Sequence, residues 1–323
     1  MDILLTTDKN YIMPTGVLMT SVSLNNPGEA ICYHIIIDET FPEEGRVRLT
    51  KAAESLNGSV KFYCLTAEQI AGMPIGKKGM PAHISIAAYY RLFVAEFLPG
   101  DLHRVLYLDG DMIVRKSLKE LWETDLEGYA LGAVLDMDEC AHVKSGRLPY
   151  PMEKYGYFNS GVLLMNFDYW REHKCTERLL EFVAEHNDVI TLHDQDALNC
   201  VLYAERKPLP ITYNFQPGFI FDVPDMKNYP ESLDPEIRKI ERDAAIVHYC
   251  GWSKPWNFNC MHPQRYVWKR YKAKSQWKDE ELQKPGSFRE ALAYWIKTNN
   301  YWFGERYYDS HHRNIYRRVI LKK

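Results

Sequence analysis

Residues 105–114 have the sequence Val-Leu-Tyr-Leu-Asp-Gly-Asp-Met-Ile-Val, in which an apolar run leads to two carboxylates. Such a run is typical of a buried strand, so Asp109 and Asp111 are expected at the end of that strand. Two carboxylates this close repel each other unless a cation lies between them, and a hard divalent cation suits them best. Gly110 lets the backbone turn tightly between them. The segment therefore predicts a metal site; the alternative is a pair of acidic turn residues.

Strand and helix patterns alternate on both sides of this segment. Short apolar runs predict strands at residues 3–7, 32–37, 59–63, 104–108, 128–135 and 157–166. Apolar residues at helical spacing predict helices at residues 14–24, 43–56, 85–97, 168–186 and 194–203. This alternation predicts an α/β fold, with a mainly parallel, Rossmann-like sheet flanked by helices.

The predicted fold also indicates where a ligand binds. Ligands of such sheets bind beyond the carboxyl ends of the strands, which directs attention to Asp8, Asp109, Asp136 and Asn159. The chain contains no G-x-G-x-x-G and no Walker A sequence. Their absence argues against dinucleotide-binding proteins and P-loop enzymes.

The composition is that of an ordinary globular protein. Of 323 residues, 46% are hydrophobic and 26% are charged, which excludes a largely disordered chain, and the length allows two domains. No apolar run approaches the ~18 residues of a membrane-spanning helix, and the first residues lack the basic start of a signal peptide. Seven cysteines without a C-x-x-C pair indicate reduced thiols. We therefore expect a cytoplasmic protein.

Charge is unevenly distributed along the chain, whose formal net charge is −3. Residues 265–323 hold 15 basic and 6 acidic residues, so the rest of the chain is acidic. A basic, aromatic-rich C-terminal region predicts an anionic partner such as a membrane surface, and the acidic body argues against nucleic acid. The alternative is that this region packs on the acidic body. We predict an α/β domain at residues 1–262 and a small helical region at residues 263–323.

A second segment with candidate ligands is residues 247–256, Val-His-Tyr-Cys-Gly-Trp-Ser-Lys-Pro-Trp. A neutral His248 could complete a metal site, and Lys254 could neutralise phosphate oxygens as a point charge. Gly251 would let the backbone approach a ligand closely. For His248, a buried histidine of the core is the alternative.

Other polar residues have both a functional and a structural interpretation. Asp8, Asn10 and Tyr11 follow the first strand, where they could hold a base or cap a helix. Arg91, on an otherwise apolar helix, is either a substrate contact or an ion-pair partner. Residues 192–199, Leu-His-Asp-Gln-Asp-Ala-Leu-Asn, could simply be a capped helix start.

Together these segments resemble the retaining glycosyltransferases of family 8, which include bacterial lipooligosaccharide α-galactosyltransferases, lipopolysaccharide glucosyltransferases and glycogenin. The resemblance covers residues 1–262 and follows the family's order. Its seven segments are residues 7–11 (TDKNY), 83–92 (HISIAAYYRL), 106–111 (LYLDGD), 131–136 (LGAVLD), 157–166 (YFNSGVLLMN), 194–199 (DQDALN) and 248–256 (HYCGWSKPW).

The resemblance implies a GT-A fold, a bound Mn²⁺ or Mg²⁺ ion, and UDP-galactose or UDP-glucose as the sugar donor. It implies metal binding by Asp109, Asp111 and His248. The donor-binding residues that it implies are Thr6, Thr7, Asp8, Asn10, Tyr11, His83, Ile84, Arg91, Asp109, Gly110, Asp111, Asn159, Ser160, Gly161, Gly251 and Lys254. The catalytic residues that it implies around the transferred sugar are Arg91, Asp136, Asp194 and Gln195.

By this resemblance, Gln195 occupies the position where a double-displacement nucleophile would be expected. An amide is a poor nucleophile, so we expect a same-face mechanism through an oxocarbenium-like ion pair, with retention of configuration. A metal ion and Lys254 would stabilise the negative charge that develops on the leaving UDP.

The expected activity is therefore metal-dependent transfer of galactose or glucose to a saccharide acceptor, such as lipopolysaccharide or another glycolipid. Residues 137–156, Leu192 and Lys9 depart from the family's pattern, mainly on the acceptor side. Two alternatives are a non-catalytic nucleotide-sugar-binding module and a metal-dependent D-x-D phosphatase. A lipid-borne acceptor would fit peripheral attachment to the inner face of the cell membrane through the C-terminal region.

Overall fold

The strands form one large sheet and one small sheet. The computed structural model describes residues 1–66, 68, 86–92, 94–186, 188–219, 228–240, 242–251, 253–260, 262, 264–282 and 284–292. The strands in these ranges are β1 (Asp2–Thr6), β2 (Cys32–Asp38), β3 (Ser59–Leu65), β4 (Arg104–Leu108), β5 (Met112–Val114), β6 (Leu131–Leu135), β7 (Phe158–Asn166), β8 (Arg206–Pro208) and β9 (Ile246–His248).

The large sheet has the strand order β3-β2-β1-β4-β7-β6-β8. Its neighbouring strands are parallel, except that β7 runs antiparallel to both β4 and β6. Successive side chains of a strand point to opposite faces, so a strand with both faces covered must be apolar throughout. Ile3, Leu4 and Leu5 of β1 are accordingly all buried. The predicted mainly parallel α/β sheet is confirmed.

Helices cover both faces of this sheet. Ile3 and Leu5 pack in one core cluster with Leu18 and Leu49, whereas Leu4 packs in a second cluster that includes Leu198. The helices are α1 (Ile12–Asn25), α2 (Glu43–Glu54), α3 (Val94–Phe97), α4 (Lys119–Trp122), α5 (Glu139–Ser145), α6 (Met152–Tyr155), α7 (Phe167–Glu172), α8 (Cys175–Glu185), α9 (His193–Leu202), α10 (Asp234–Ile240) and α11 (Arg265–Lys272).

The small sheet joins two segments that are distant in sequence. β5 pairs antiparallel with β9, and Met112 lies opposite His248. The backbone N–H of Tyr249 donates to the Asp111 carbonyl oxygen at 2.9 Å. Because β5 begins directly after Asp111 and β9 ends at His248, this pairing places the imidazole beside the two carboxylates.

Two predicted helices differ from the observed ones. The helix predicted at 85–97 is a 3₁₀ helix, Ile86–Leu92, followed by α3. The helix predicted at 168–186 is divided into α7 and α8, because Lys174 adopts a left-handed conformation with φ 51°. A right-handed helix cannot continue through such a residue.

The first part of the C-terminal region packs on the α/β domain. Trp268 and Trp277 are buried in the same core cluster as α1, and Asn25 Nδ2 donates to the Tyr271 hydroxyl at 2.7 Å. Residues 293–323 lie outside the described ranges, so a membrane contact there and a domain boundary at 262/263 stay predictions. Within the described part of the chain, the helices are too short or too polar to span a membrane.

Candidate active site

Two carboxylates and an imidazole form a cluster just beyond the end of β4. Asp109, Asp111 and His248 each offer a ligand atom, and these atoms lie within 4.8 Å of one another. His248 Nε2 is 3.8 Å from Asp109 Oδ2 and 3.3 Å from Asp111 Oδ1. Carboxylate ligands suit Mg²⁺ and Mn²⁺, and a neutral imidazole is a common additional ligand. The donor set therefore fits the divalent ion that the resemblance implies.

A buried asparagine fixes the orientation of His248. His248 Nδ1 lies 2.9 Å from Asn214 Oδ1, and Asn214 Nδ2 donates to Asn159 Oδ1 at 2.8 Å. Since Asn214 Oδ1 can only accept, the His248 proton is on Nδ1 and the Nε2 lone pair faces the carboxylates. Such an outer partner is typical of metal-binding histidines. No motif in the sequence points to Asn214, which lies in the connection between β8 and β9.

Strand β7 passes so close to the cluster that only glycine fits at position 161. A Cβ on Gly161 would lie 2.5 Å from His248 Cε1 and 2.9 Å from Asp109 Oδ2. The Gly161 carbonyl also accepts a hydrogen bond from the Asp109 N–H at 2.9 Å. A side chain here would push the candidate ligands apart, so Gly161 keeps the space in which they converge.

Arg91 is a buried cation that joins two parts of the site. Its Nη2 lies 2.9 Å from Asp109 Oδ1 and its Nε lies 3.1 Å from Asp194 Oδ2. Nη1 donates to the Ser160 carbonyl at 2.6 Å, and the guanidinium lies over the Tyr107 ring at 4.2 Å. Arg91 is thus an ion-pair partner, and its contact with a substrate stays a prediction. Because the planar Arg91 guanidinium is held by contacts on three sides, it also fixes the spacing between Asp109 and Asp194.

Lys254 forms an ion pair with Asp111 and also donates to the Tyr249 carbonyl at 3.0 Å. Burial raises the pKa of the Asp111 carboxyl, but the positive charge of Lys254 is the main opposing effect, and the net shift holds that pKa well below its usual range. Burial lowers the pKa of Lys254, and the Asp111 charge outweighs it, so the net shift is upward. Both groups are therefore charged at neutral pH, and an ammonium is available beside the cluster.

A second group of polar side chains surrounds Gln195. Asp136 Oδ2 accepts from Asn159 Nδ2 at 2.9 Å and from Gln195 Nε2 at 3.1 Å. Gln195 Oε1 accepts from the Ser160 N–H at 2.9 Å. These partners determine the orientation of the Gln195 amide. Because Asn159 also bonds to Asn214, one hydrogen-bond network runs from His248 to Gln195.

Asp194 is a buried carboxylate with an available oxygen. Burial raises its pKa to about 6, although the charge of Arg91 opposes this shift. Asp194 Oδ2 lies 3.1 Å from Arg91 Nε, but the two atoms do not have hydrogen-bond geometry. Among the described residues, no group donates a hydrogen bond to this oxygen. A buried carboxylate oxygen is costly to leave without a donor. A hydroxyl group of a bound sugar would supply that donor.

Arg147 and Asp196 anchor the start of α9, which carries Asp194 and Gln195. Asp196 is fully buried and accepts two bonds from Arg147, at 2.6 and 2.7 Å. It also accepts from the Tyr157 hydroxyl at 2.6 Å and from the Thr191 N–H at 2.7 Å. Arg147 comes from the long 137–156 connection, between α5 and α6. Neither anchoring role can be predicted from the sequence, because the two residues are 49 positions apart.

The residues predicted to hold the nucleoside lie at the carboxyl end of β1. Asp8 Oδ1 accepts from the N–H groups of Asn10 at 2.7 Å and Tyr11 at 3.2 Å, directly before α1. The Tyr11 ring meets Trp256 edge-on at 5.5 Å, and a Cβ on Gly110 would lie 3.3 Å from Tyr11 Cδ1. Tyr11 therefore lies against the turn between Asp109 and Asp111. Contact with a base stays a prediction.

Most of the remaining predicted residues lie nearby. Thr6 Oγ1 is 3.1 Å from the Tyr107 hydroxyl, which donates to Asp109 Oδ1 at 2.7 Å. Thr7 Oγ1 instead bonds to Thr15 Oγ1 inside the protein. Gly251 has φ 80°, which favours glycine. His83 and Ile84 lie outside the described residues.

Comparison with known proteins identifies the family. The model of the family described as Glycosyl transferase family 8 matches residues 2–260. The chain belongs to glycosyltransferase family 8. Members of this family typically use a divalent metal ion and a UDP-sugar donor, and the cluster of Asp109, Asp111 and His248 is the candidate site for the metal.

Two bacterial enzymes of this family illustrate the relationship. The lipopolysaccharide 1,3-galactosyltransferase of Salmonella typhimurium is 28% identical over 93% of this chain and 87% of its own length. The lipopolysaccharide 1,2-glucosyltransferase of Escherichia coli K12 is 28% identical over 84% of this chain and 78% of its own length. The family 8 chain is thus related to both galactosyl- and glucosyltransferases.

A solved structure shows the same fold. The galactosyltransferase LgtC, determined in complex with donor and acceptor sugar analogues, superimposes with a TM-score of 0.73 and 29% sequence identity. The match covers 90% of this chain and 99% of the LgtC chain. The family 8 chain therefore has a GT-A-like fold, as the sequence resemblance implied.

Proposed function

We propose that this family 8 enzyme is a retaining, metal-dependent transferase that moves galactose or glucose from a UDP-sugar to a saccharide acceptor, such as lipopolysaccharide or another glycolipid. The observation that carries the proposal is the hydrogen-bond network from His248 through Asn214, Asn159 and Asp136 to Gln195. It connects the candidate metal ligands to the residues expected around the transferred sugar. The named activities of the two bacterial relatives support the donor and acceptor class.

On the diphosphate side, Asp109, Asp111 and His248 would hold the divalent ion. When bound, such an ion supplies positive charge that stabilises a departing diphosphate. Lys254 contributes a second positive charge with N–H donors for phosphate oxygens, and its ion pair with Asp111 keeps it aimed at this position. Both positive charges would then lie where negative charge develops as UDP leaves.

On the sugar side, Asp194 and Gln195 have distinct roles. Asp194 Oδ2 would accept a hydrogen bond from a hydroxyl of the transferred hexose, and Arg91 holds it in position. Gln195 Oε1 accepts from the Ser160 N–H at 2.9 Å and, at the longer distance of 3.4 Å, from the Ser160 hydroxyl. The partial negative charge of this oxygen can stabilise positive charge at the anomeric carbon without forming a lasting bond.

The proposed transfer needs no separate base. The bond between the anomeric carbon and the phosphate oxygen breaks, and both electrons leave with UDP. The acceptor oxygen then forms its bond on the same face, and its proton passes to the departing phosphate oxygen. The new bond thus has the configuration of the old one, and retention follows.

A panel of UDP-sugars with Mn²⁺ and simple galactoside and glucoside acceptors tests the proposal. We expect UDP release from UDP-galactose or UDP-glucose, and an α-linked product identified from the coupling of its anomeric proton by NMR. A β-linked product would contradict the mechanism. Hydrolysis of phosphate monoesters without any consumption of UDP-sugar would favour the phosphatase alternative instead.

A further inference from the structure

A second cluster of metal-ligating side chains lies at the amino-terminal ends of β1 and β2, on the opposite side of the large sheet from the candidate active site. Asp2 is the first residue of β1, Cys32 is the first residue of β2, and His34 follows two positions later on the same face. The parallel register places Asp2 beside Cys32. The three ligand atoms lie within 4.8 Å of one another, as they do at Asp109, Asp111 and His248.

We propose that Asp2, Cys32 and His34 form a zinc-binding site that is separate from the candidate active site. The length of β1 puts about 13 Å between Asp2 and Thr6, which lies at the edge where the nucleotide sugar is expected. The two clusters therefore do not share a metal ion.

The types of ligand favour zinc over the ions expected at the active site. A cysteine sulfur is a soft ligand that selects Zn²⁺, whereas Mg²⁺ and Mn²⁺ prefer oxygen. Sulfur, imidazole nitrogen and carboxylate oxygen are the three kinds of ligand that proteins offer to zinc. Three protein ligands leave one tetrahedral position for water, and the Asp2 side chain, 33% exposed, provides access from solvent.

Neighbouring side chains hold the cluster in an arrangement suited to a metal. His34 Nδ1 lies 2.9 Å from the Tyr63 hydroxyl, and the two rings stack at an angle of 18°. This contact leaves His34 Nε2, 2.9 Å from Asp2 Oδ1, as the ligand nitrogen. Outer hydrogen bonds of this kind orient metal-binding histidines.

The competing interpretation is an ion-pair network that only links β1 to β2. In that case His34 carries a proton between Asp2 and Cys32, and no metal ion binds. The two interpretations differ in whether the Cys32 sulfur coordinates a metal, and this difference can be observed directly by spectroscopy.

Titration of the full chain with Co²⁺, a spectroscopic probe for zinc sites, tests the proposal. We expect a thiolate-to-cobalt charge-transfer band in the near ultraviolet that saturates at one Co²⁺ per chain and disappears when Zn²⁺ is added. Co²⁺ bound by Asp109, Asp111 and His248 has no thiolate ligand and would not produce this band.

Three cysteine variants identify the sulfur. Cys32→Ser should abolish the band, whereas Cys64→Ser, an exposed residue on β3, should retain it. Cys250→Ser should also retain the band. This variant is included because the Cys250 thiol lies near Asp111, whose charge contributes to raising the pKa of Cys250. Absence of the band from the unmodified chain, or a full band in Cys32→Ser, would overturn the proposal.

Two further measurements keep this test independent of folding and of the proposed function. Asp2→Asn removes a partly exposed ligand and should weaken Co²⁺ binding about tenfold or more, even if Cys32→Ser misfolds. Unchanged Co²⁺ affinity in Asp2→Asn would overturn the three-ligand site. Cys32→Ser that folds should retain UDP release with Mn²⁺, because Cys32 lies outside the active site.

Discussion

At the scale of single residues, His262 is a buried histidine that should make stability depend on pH. Its Nδ1 accepts from the Gln264 N–H at 3.1 Å, and its ring meets Tyr249 edge-on at 4.6 Å. Burial, together with the nearby positive charges of Arg265 and Lys254, lowers its pKa to about 3. A proton on Nδ1 would face the Gln264 N–H, so the folded protein keeps this ring neutral.

The sign of the pH effect follows from this lowered pKa. The unfolded chain takes up a proton near pH 6.5 and the folded chain only near pH 3, so this contribution is complete above pH 6.5 and is lost as pH falls. Between pH 7 and pH 5, we expect the free energy of unfolding to decrease by about 2 kcal/mol through His262. Urea unfolding at the two pH values measures this change.

A matched pair of variants isolates the contribution of His262. His262→Asn keeps an acceptor for the Gln264 N–H but does not titrate, so its stability should depend less on pH by that amount. His103→Asn, in which the replaced ring is exposed, should behave like the unmodified chain. An identical pH dependence in His262→Asn and the unmodified chain would refute the assignment.

The sequence predicted the candidate metal ligands but not the residues that orient them. Asp109 and Asp111 follow an apolar strand one residue apart, a local signal visible in a single segment. Asn214 contacts His248, which lies 34 positions away in the sequence. Tyr107 contacts Asp109 but belongs to the apolar strand β4, where a tyrosine looks like an ordinary core residue. Their roles depend on how β4, β7 and β9 meet. No local spacing carries that information.

At the scale of elements, Arg147 should determine the position of α9. Replacing it with Met leaves Asp196 as a buried charge with fewer donors. We expect the free energy of unfolding to fall by about 2–3 kcal/mol, toward the low end for a buried pair because the Arg147 side chain is 22% exposed. A shift of Asp194 and Gln195 should also slow UDP release about tenfold to a hundredfold.

Denaturant unfolding and steady-state UDP release measure the two effects. Arg178→Met is the matched control, because Arg178 forms a bidentate pair with Glu205 on a more exposed surface. Arg178→Met should lower the free energy of unfolding by at most about 1 kcal/mol and leave UDP release unchanged. Equal effects of the two substitutions would show that Arg147 does not position the site.

A second prediction at this scale concerns the contact between α1 and Trp277, which lies in the C-terminal region. A Cβ on Gly16 would lie 2.0 Å from two atoms of the Trp277 ring, which is buried there. Gly16→Ala should therefore lower the free energy of unfolding by about 2 kcal/mol, although alanine favours a helix. In a Trp277→Ala background the same substitution should be neutral or stabilising by up to about 1 kcal/mol.

The double-mutant cycle is measured by denaturant unfolding. A destabilising Gly16→Ala of equal size in both backgrounds would mean that Trp277 does not cover α1. The sequence predicted α1 and α2 from their apolar spacing, but it could not show this contact, because Gly16 carries no side chain. Nor could it show the break at Lys174, which divides a helical pattern that is continuous in the sequence.

At the scale of the whole molecule, we propose that residues beyond 292 attach the enzyme to anionic membranes. Arg313, Arg317, Arg318, Lys322 and Lys323 lie outside the described residues, and each basic residue near an anionic leaflet contributes about 1 kcal/mol. Co-sedimentation of the full chain with anionic vesicles should be weak and should decrease with salt.

Truncation after Leu292 should remove vesicle binding and keep UDP release, since it retains Trp268 and Trp277 in the core. Neutral vesicles are the control and should not bind either form. Binding of the truncated chain to anionic vesicles equal to that of the full chain would contradict the proposal.

For the whole molecule, we propose that the cluster of Asp109, Asp111 and His248 at the end of β4 binds the metal ion on which sugar transfer depends. UDP release from the preferred UDP-sugar tests it most directly, with Mn²⁺, after EDTA, and with Mn²⁺ restored. We compare the unmodified chain with Asp111→Asn and with Asp243→Asn, a control that changes an exposed carboxylate.

UDP release should stop with EDTA and return with Mn²⁺, and Asp243→Asn should behave like the unmodified chain. Asp111→Asn should fold, by circular dichroism, and release UDP at least about a hundredfold more slowly, because it loses a charged ligand and the partner of Lys254. Full turnover by Asp111→Asn, or UDP release that persists in EDTA, would show that this cluster does not hold a metal ion that the reaction requires.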